Sequence, residues 1–306
     1  MNTRDLQAFV AVVESESMAR AAEKVFLTQP GLTRRVQSLE AMLDTVLLDR
    51  QSKPLKPTAT GNEVYRLART VLRAVDDLMA VASPDSESTG EMRIGVPPFL
   101  SEQALEHPID SLRSAFPKLM LRVTAGWSPG LLQNVERGTI DAAVVLMPDG
   151  IALPDALTAT LLGRKPFVVV APRSFGLADA PTTLAQLSRY PWVLNQDGCG
   201  MRSVLSRAMA AAGLPFDVAV EAFGSELQLS LVARGMGIGL AVSEMLQASE
   251  HRDALQRIEV TDFHNVLSIW LMHGLLPGRL VRPVGLMRDV LAEKLGFAPQ
   301  SGQERP

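Results

Sequence analysis

The sequence is short of the residues from which covalent and metal cross-links are built. Cys199 is the only cysteine among 306 residues, so no intramolecular disulfide can form. Four histidines show none of the spacings typical of metal ligands: His107, His251, His264 and His273. We therefore expect no metal site and no cofactor, and a lone thiol suits a reducing compartment.

Long apolar runs and a strong excess of one charge are also missing. No stretch holds 18 consecutive apolar residues, and charges such as Arg4 and Asp5 interrupt the first twenty positions, which predicts neither a membrane span nor a secretory signal. We expect a cytoplasmic protein with no membrane partner. The formal net charge is −3, so any contact with nucleic acid requires a local basic patch.

What is present begins with a helix that follows two helix breakers, in the stretch LTQPGLTRRVQSLE. If Thr28 is the N-cap, Pro30 falls in the first turn, where its missing N–H has no intrahelical acceptor to lose. Apolar residues then recur at spacings of four, three and four: Leu32, Val36, Leu39 and Leu43. The opposite face is polar and basic: Gln29, Thr33, Arg34 and Gln37.

Two shorter helices are predicted upstream, one with an apolar stripe through Leu6 and Phe9 and one capped by Ser17. A short helix, a tight turn and a longer helix is typical of a helix-turn-helix, and a plain three-helix bundle is the alternative. The stretch LLDRQSKPLKPTATG indicates a small basic wing. From Ser17 to Gly61 there are seven cations and four anions, an excess of three positive charges.

The next helix carries a heptad pattern that predicts a dimerising coiled coil, and a helix packed on its own domain is the alternative. The pattern consists of Val64, Ala68, Val71, Val75, Leu78 and Ala82. We assign residues 1–61 to the winged helix-turn-helix, 62–83 to this linker helix and 84–90 to a polar hinge.

The N-terminal part resembles the winged helix-turn-helix of LysR-type transcriptional regulators, through LQAFVAVVESESMARAAEKVFLTQPGLTRRVQSLEAML and the later PTATG. Asp44 departs from the family pattern, in which glycine usually ends the helix. The resemblance implies that Gln29, Pro30, Thr33 and Arg34 face the major groove and that Lys53 approaches the minor groove. We add Gln37 from the same polar face and Arg50 from the wing to the predicted DNA contacts.

From residue 91 the pattern changes to strands that alternate with helices, which predicts α/β units on a mostly parallel sheet. The last strand and helix return to the first sheet. We therefore expect two lobes within 91–297, one from 91–163 and 268–297 and the other from 164–267. In the resembled family this effector domain has a two-lobed, periplasmic-binding-protein-like form. The tail 298–306 is predicted to be disordered.

Ligands of such sheets bind at the carboxyl ends of strands, here in a cleft between lobes. The residues predicted to line it are Phe99, Ser101, Trp127, Ser128, Leu146, Asn195, Arg202, Phe223 and Ser225. Their aromatic and aliphatic share favours an effector with an apolar or aromatic body. The alternative is that Phe99 and Trp127 simply fill an empty cleft.

These features together predict a LysR-type regulator that binds promoter DNA and a small-molecule effector, associates with itself as a dimer or dimer of dimers, and contacts RNA polymerase. A small-molecule-binding protein without a transcriptional role is the alternative. An enzyme would need a paired acid and base, an activated nucleophile or a metal cluster, and the sequence offers none. GMGIG at 235–239 follows a helix, which favours a structural turn over a phosphate site. Cys199 lies on a loop that could border the cleft; we expect it to have no redox role, and a thiol sensor is the alternative.

Overall fold

The computed structural model describes residues 2–82, 88–101, 105–177, 180–274 and 278–295. The chain divides into two compact units, the first formed mainly by residues up to Ser88 and the second mainly by residues from Thr89 onward. Each unit has a core and a site of its own. No helix among the described residues is both long and apolar enough to cross a membrane.

The first unit contains four helices and one small hairpin. In chain order they are α1 (Thr3–Ser15), α2 (Met18–Lys24), α3 (Gln29–Met42), β1 (Leu48–Asp49), β2 (Lys56–Pro57) and α4 (Ala59–Ala82). The predicted caps are confirmed, because Ser17 accepts the N–H of Arg20 and Thr28 accepts the N–H of Gly31 at 3.3 Å.

One core joins these elements. Phe9 and Val12 of α1, Leu32 and Val36 of α3 and Leu48 of β1 are buried together in it. The antiparallel pairing of β1 with β2 makes the hairpin a wing. The helix-turn-helix with a wing is therefore confirmed over the plain three-helix bundle.

The heptad prediction for α4 is wrong for its first two positions. Ala68 is buried in the core of the first unit, and Val64 packs against that core. The exposed apolar residues of α4 form a different stripe, at spacings of four, three and four: Leu67, Val71, Ala74 and Leu78. Contacts within the first unit therefore bury one face of α4 near its start, and the neighbouring face is exposed.

The second unit contains nine strands and eight helices among the described residues. Its strands are β3 (Gly90–Val96), β4 (Leu119–Ala125), β5 (Ala142–Pro148), β6 (Leu157–Pro172), β7 (Trp192–Asn195), β8 (Val218–Ala222), β9 (Gly239–Val242), β10 (Leu255–Ile258) and β11 (Val266–Gly274). Its helices are α5 (Pro98–Ser101), α6 (Glu106–Ala115), α7 (Ser128–Glu136), α8 (Leu184–Leu187), α9 (Gly200–Ala211), α10 (Ser225–Ala233), α11 (Ser243–Ala248) and α12 (Val281–Lys294).

Two lobes share the long strand β6. Its first half pairs antiparallel with β11, and its second half pairs antiparallel with β9 and β10. In the first lobe the strand order is β6, β11, β5, β3 and β4, with β3 parallel to both β4 and β5. The parallel pair β7 and β8 belongs to the second lobe, where Trp192 forms a bridge with Ile238 beside β9.

The two-lobed α/β architecture is confirmed, and the sheet is more mixed than the sequence predicted. The pattern missed the first half of β6 and all of β10. The first half of β6 is interrupted by Gly163, Arg164 and Lys165, and β10 has Gln256 and Arg257 side by side, so neither segment shows a continuous apolar run or a regular alternation. Residues 84–87 of the predicted hinge and the whole predicted tail lie outside the described residues.

Candidate functional site

The polar face of α3 is presented to solvent by the packing of the opposite face. Gln29, Pro30, Arg34 and Gln37 are exposed, while Thr33 is half-buried and its hydroxyl donates to the carbonyl of Gln29 at 2.9 Å. The Thr28 cap and Pro30 fix where the helix begins. The structure therefore brings all five predicted α3 contacts onto one accessible face of the helix, with Gln29, Pro30, Thr33 and Arg34 in its first two turns.

Ion pairs divide the seven cations of this region into two groups. Lys24 pairs with Glu14, Arg35 with the nearly buried Asp5, and Arg50 with Glu40. The other four have no ion-pair partner among the residues that the structure describes: Arg20, Arg34, Lys53 and Lys56. The positive charge left for an external anion is therefore concentrated on α2, α3 and the wing.

A cleft in the second unit encloses about 440 Å³, part of it open to solvent. Residues from both lobes line it: Pro97, Pro98, Trp127, Ser128, Leu146, Asn195, Cys199, Gly200, Met201, Gly224, Ser225, Val242 and Leu267. Five of the nine predicted effector contacts are among them. No charged side chain contributes to this wall within the described part of the chain.

The polar atoms of the wall are largely used by the protein itself. Ser128 donates its hydroxyl to the carbonyl of Leu146 at 3.0 Å and accepts the N–H of Leu146 at 2.9 Å. Asn195 donates to Gln228 and accepts the N–H of Gly224. The indole N–H of Trp127 differs, because its nitrogen is buried and has no hydrogen-bond partner among the residues that the structure describes.

Two of the other predicted effector residues, Arg202 and Phe223, are not among the residues that line the cleft. Arg202 pairs with Glu221 at 2.6 Å and with Asp197 at 3.0 Å, so its charge is already neutralised. Phe223 is exposed and meets the Trp127 ring edge-on. Phe99 and Ser101 belong to α5, and their side chains lie outside what the structure describes.

Sequence reasoning missed the glycines and the apolar residues of the far wall, Val242 and Leu267. Gly198 and Gly200 let the α9 loop approach the first lobe closely, since an added Cβ at these positions would lie 2.9 Å from Trp127 and from Leu146 respectively. The string DGCG was the available signal, because paired glycines mark close backbone approach.

Residues 3–62 match the family described as "Bacterial regulatory helix-turn-helix protein, lysR family", and residues 85–291 match "LysR substrate binding domain". The chain belongs to the LysR family. Like other members it is a DNA-binding transcriptional regulator with an effector-binding domain.

Two relatives and one solved structure illustrate the similarity to other LysR regulators. The chain is 28% identical to the HTH-type transcriptional regulator IlvR of Caulobacter vibrioides, over 80% of this chain and 83% of the relative. It is 29% identical to a hydrogen peroxide-inducible genes activator of Dickeya chrysanthemi, over 83% of each chain. A full-length OxyR variant from Pseudomonas aeruginosa shares the fold, with a TM-score of 0.81, 19% identity and coverage of 100% of this chain and 99% of that one.

Two further features of this LysR regulator are structural or without an assigned role. Gly235 ends α10 with φ 80°, and an added Cβ at Gly237 would overlap the carbonyl of Pro191, so GMGIG forms a tight turn. Glu226, Glu250 and His251 place ligand atoms within 4.8 Å of one another. Chain spacing could not show this group, and both of its carboxylates are exposed.

Proposed function

We propose that the exposed start of α3 reads base edges in the major groove through Gln29, Pro30, Thr33, Arg34 and Gln37, and that Lys53 of the wing approaches the minor groove. The observation that carries this proposal is Arg34, which is exposed on a capped helix start and free of an ion pair among the described residues. Arg50 contributes less, because Glu40 holds its guanidinium.

The regulator binds DNA in pairs, since three excess positive charges supply little affinity for a single copy. The exposed stripe on α4 supports a dimer built through the linker helices, and dimers of dimers bind an interrupted inverted repeat. We further propose that the protein is cytoplasmic, that it contacts RNA polymerase and that it usually activates transcription.

The effector of the cleft is a small, largely apolar molecule without a net charge. An uncompensated charge would be desolvated in a wall that offers it no opposite charge. One hydrogen-bond acceptor on the effector satisfies the indole N–H of Trp127, which finds no partner within the described part of the chain. This specifies the apolar or aromatic class that the sequence favoured.

Effector binding acts by shifting the population of lobe arrangements. Trp127 and Leu146 on one side and the start of α9 on the other contribute to the same wall, so a ligand there has different contacts when the lobes move. The ligand therefore has a different affinity for each arrangement of the lobes. This difference supplies the free energy that changes the spacing of the helix-turn-helix units on bent DNA.

The DNA proposal is tested by binding to the upstream intergenic DNA of its own gene and to random duplex of equal length, titrated in salt. We expect the specific complex to be about a thousandfold tighter. Arg34→Ala is expected to cost roughly 1 to 3 kcal/mol and to relax one base position, while Lys53→Ala lowers affinity on both duplexes and reduces the salt slope. Equal losses on both duplexes for Arg34→Ala would contradict base reading.

The effector proposal is tested by a screen of neutral and charged aromatic compounds for stabilisation of the protein against heat. For a hit, Trp127→Phe keeps the apolar ring and removes the N–H, so we expect about threefold to tenfold weaker binding in calorimetry. Trp127→Ala is expected to lose more. A charged compound that binds both variants as tightly as it binds the wild-type protein would show that the effector binds outside this cleft.

A second candidate function is peroxide sensing. It is suggested by the similarity to a hydrogen peroxide-inducible genes activator and by the presence of Cys199 in the cleft wall. The chemistry favours the first candidate. Burial raises the pKa of the Cys199 thiol by more than nearby N–H groups and Arg202 lower it, which suppresses the reactive thiolate. The sequence contains no second cysteine to form a disulfide.

A further inference from the structure

The turn between α2 and α3 has an unusual residue at its most demanding position. Phe26 has φ 55° and is 94% exposed. Its N–H donates to the carbonyl of Glu23 at 3.2 Å, and the N–H of Leu27 donates to Ala22 at 2.9 Å. This pair of bonds is the Schellman motif, in which glycine is the favoured residue at the left-handed position.

The same motif ends three other helices of this chain and provides an internal comparison. Gly213 follows α9 and Gly235 follows α10 in the left-handed conformation, while Asp44 follows α3. Glycine has no Cβ penalty there, and aspartate tolerates the conformation better than most residues do. An aromatic residue is strained at such a position, so local conformation does not account for Phe26.

Packing does not account for it either. A ring that is 94% exposed contributes almost nothing to the core of the first unit. Phe26 thus occupies a position that favours glycine and adds no stability to the folded monomer in return. Strained residues of this kind concentrate at functional positions.

The surroundings of Phe26 identify what covers it. It lies two residues before the Thr28 cap and leads directly into the exposed Gln29 and Pro30. Arg20 on α2 and Arg34 on α3 have no ion-pair partner among the described residues. In a helix-turn-helix the second helix lies in the major groove and the first crosses the phosphate backbone, so the turn that joins them is next to DNA.

We infer that the Phe26 ring is a DNA contact of this regulator, packed on apolar DNA surface at the edge of the groove that α3 reads. Two DNA groups offer that chemistry, the 5-methyl group of thymine and the deoxyribose. The inference rests on the proposed reading face and adds an apolar contact to its polar ones.

The test is Phe26→Gly in the full chain, compared with Asp44→Gly, which also places glycine at a left-handed position, at the other end of α3. Duplexes selected by the wild-type protein from a random pool supply the operator. We expect Phe26→Gly to weaken operator binding at least about fivefold while its midpoint of thermal unfolding stays equal or rises. Asp44→Gly is expected to leave DNA binding unchanged.

Replacing thymine by deoxyuridine in the operator distinguishes the two DNA groups. If the wild-type protein loses affinity and Phe26→Gly does not, the contact is a thymine methyl; if Phe26→Gly weakens operator and random duplex alike and deoxyuridine has no effect, it is the sugar. Unchanged DNA affinity of a folded Phe26→Gly protein would overturn the inference. Base reading by α3 is contradicted by different results: no operator is selected from the pool, or Arg34→Ala weakens binding equally on operator and random duplexes.

Discussion

Asp44 shows how a single residue stores strain at a helix end. It follows α3 with φ 48°, and the adjacent N–H of Thr45 donates to the carbonyl of Glu40. Its side chain is exposed, so the strain has no packing contact to offset it.

We expect Asp44→Gly to stabilise the protein by roughly 0.5 to 1 kcal/mol, because glycine adopts the left-handed conformation without a Cβ clash. The measurement is the free energy of unfolding in urea. Asp44→Ala is the control, since it removes the carboxylate and keeps the Cβ; a similar gain in that variant would attribute the effect to charge.

Cys199 is a residue whose reactivity is set by burial. Because desolvation raises the pKa of its thiol above the ordinary value of 9.0, the thiolate is a minor form at pH 7. We expect slow alkylation by iodoacetamide in the folded protein and fast alkylation in urea. Rapid reaction of the folded protein at neutral pH would contradict this prediction and revive the peroxide-sensor candidate.

At the scale of elements, α4 divides its apolar residues between two faces. Ala68 is buried within its own unit, whereas Leu67, Val71 and Leu78 remain exposed. Exposed apolar stripes at heptad spacing mark surfaces that another helix covers.

We expect Leu78→Glu to shift the protein from dimer to monomer, as measured by sedimentation, with helix content unchanged. The physical reason is that two like charges would face each other across the proposed dimer interface. Asn62→Glu adds the same charge on α4 outside the stripe and is expected to leave the dimer intact. A dimer that survives Leu78→Glu would place self-association elsewhere.

The strands that join the lobes meet at Asp149, just after β5. Its carboxylate accepts from Ser268 of β11 at 2.8 Å and from Arg164 of β6 at 3.2 Å. The hydrogen bond from Ser268, followed by that from Arg164, lowers the pKa of Asp149 below its ordinary 3.8.

Because the pKa is lowered in the folded state, this contribution to stability is present above about pH 4 and is lost as the pH falls through the folded pKa. We expect Asp149→Asn to be less stable at pH 7 by no more than about 1 kcal/mol, since the pair is partly exposed. The difference from wild type should shrink towards zero as the pH falls below the folded-state pKa of Asp149. A constant difference across the acid range would assign the effect to packing.

At the scale of the second unit, Gly200 controls how closely the two lobes approach. An added Cβ would lie 2.9 Å from the carbonyl oxygen of Leu146 and 3.1 Å from Leu267. Neither a backbone oxygen nor a buried leucine moves easily in a close-packed interior.

We expect Gly200→Ala to lower the free energy of unfolding by about 1 to 3 kcal/mol through overpacking and to speed hydrogen exchange around the cleft. Gly130 in α7 is the matched control, because an added Cβ there meets nothing within 4 Å. Gly130→Ala is expected to be neutral or slightly stabilising. Equal losses in both variants would contradict a specific role for Gly200.

The sequence predicted the elements whose signals are local. The Thr28 cap, the α3 stripe from Leu32 to Leu39 and the strands that became β3 and β5 follow from neighbouring residues, since caps and periodic burial are short-range properties. Leu43, predicted in the same stripe, follows the helix and is exposed. The strand β6 was found only in part, because its first half is half-buried and lacks a continuous apolar run.

By itself, the sequence determined the family, the winged helix-turn-helix, the two α/β lobes and the polar face of α3. Only the tertiary structure decided which arginines form ion pairs. Arg35, Arg50 and Arg202 bind carboxylates of residues that are 30, 10 and 19 positions away in the chain. The same holds for the two faces of α4, the set of residues that line the cleft and the exposure of Phe26. Each depends on what packs against a side chain, and residue spacing contains no information about a partner that is distant in the chain.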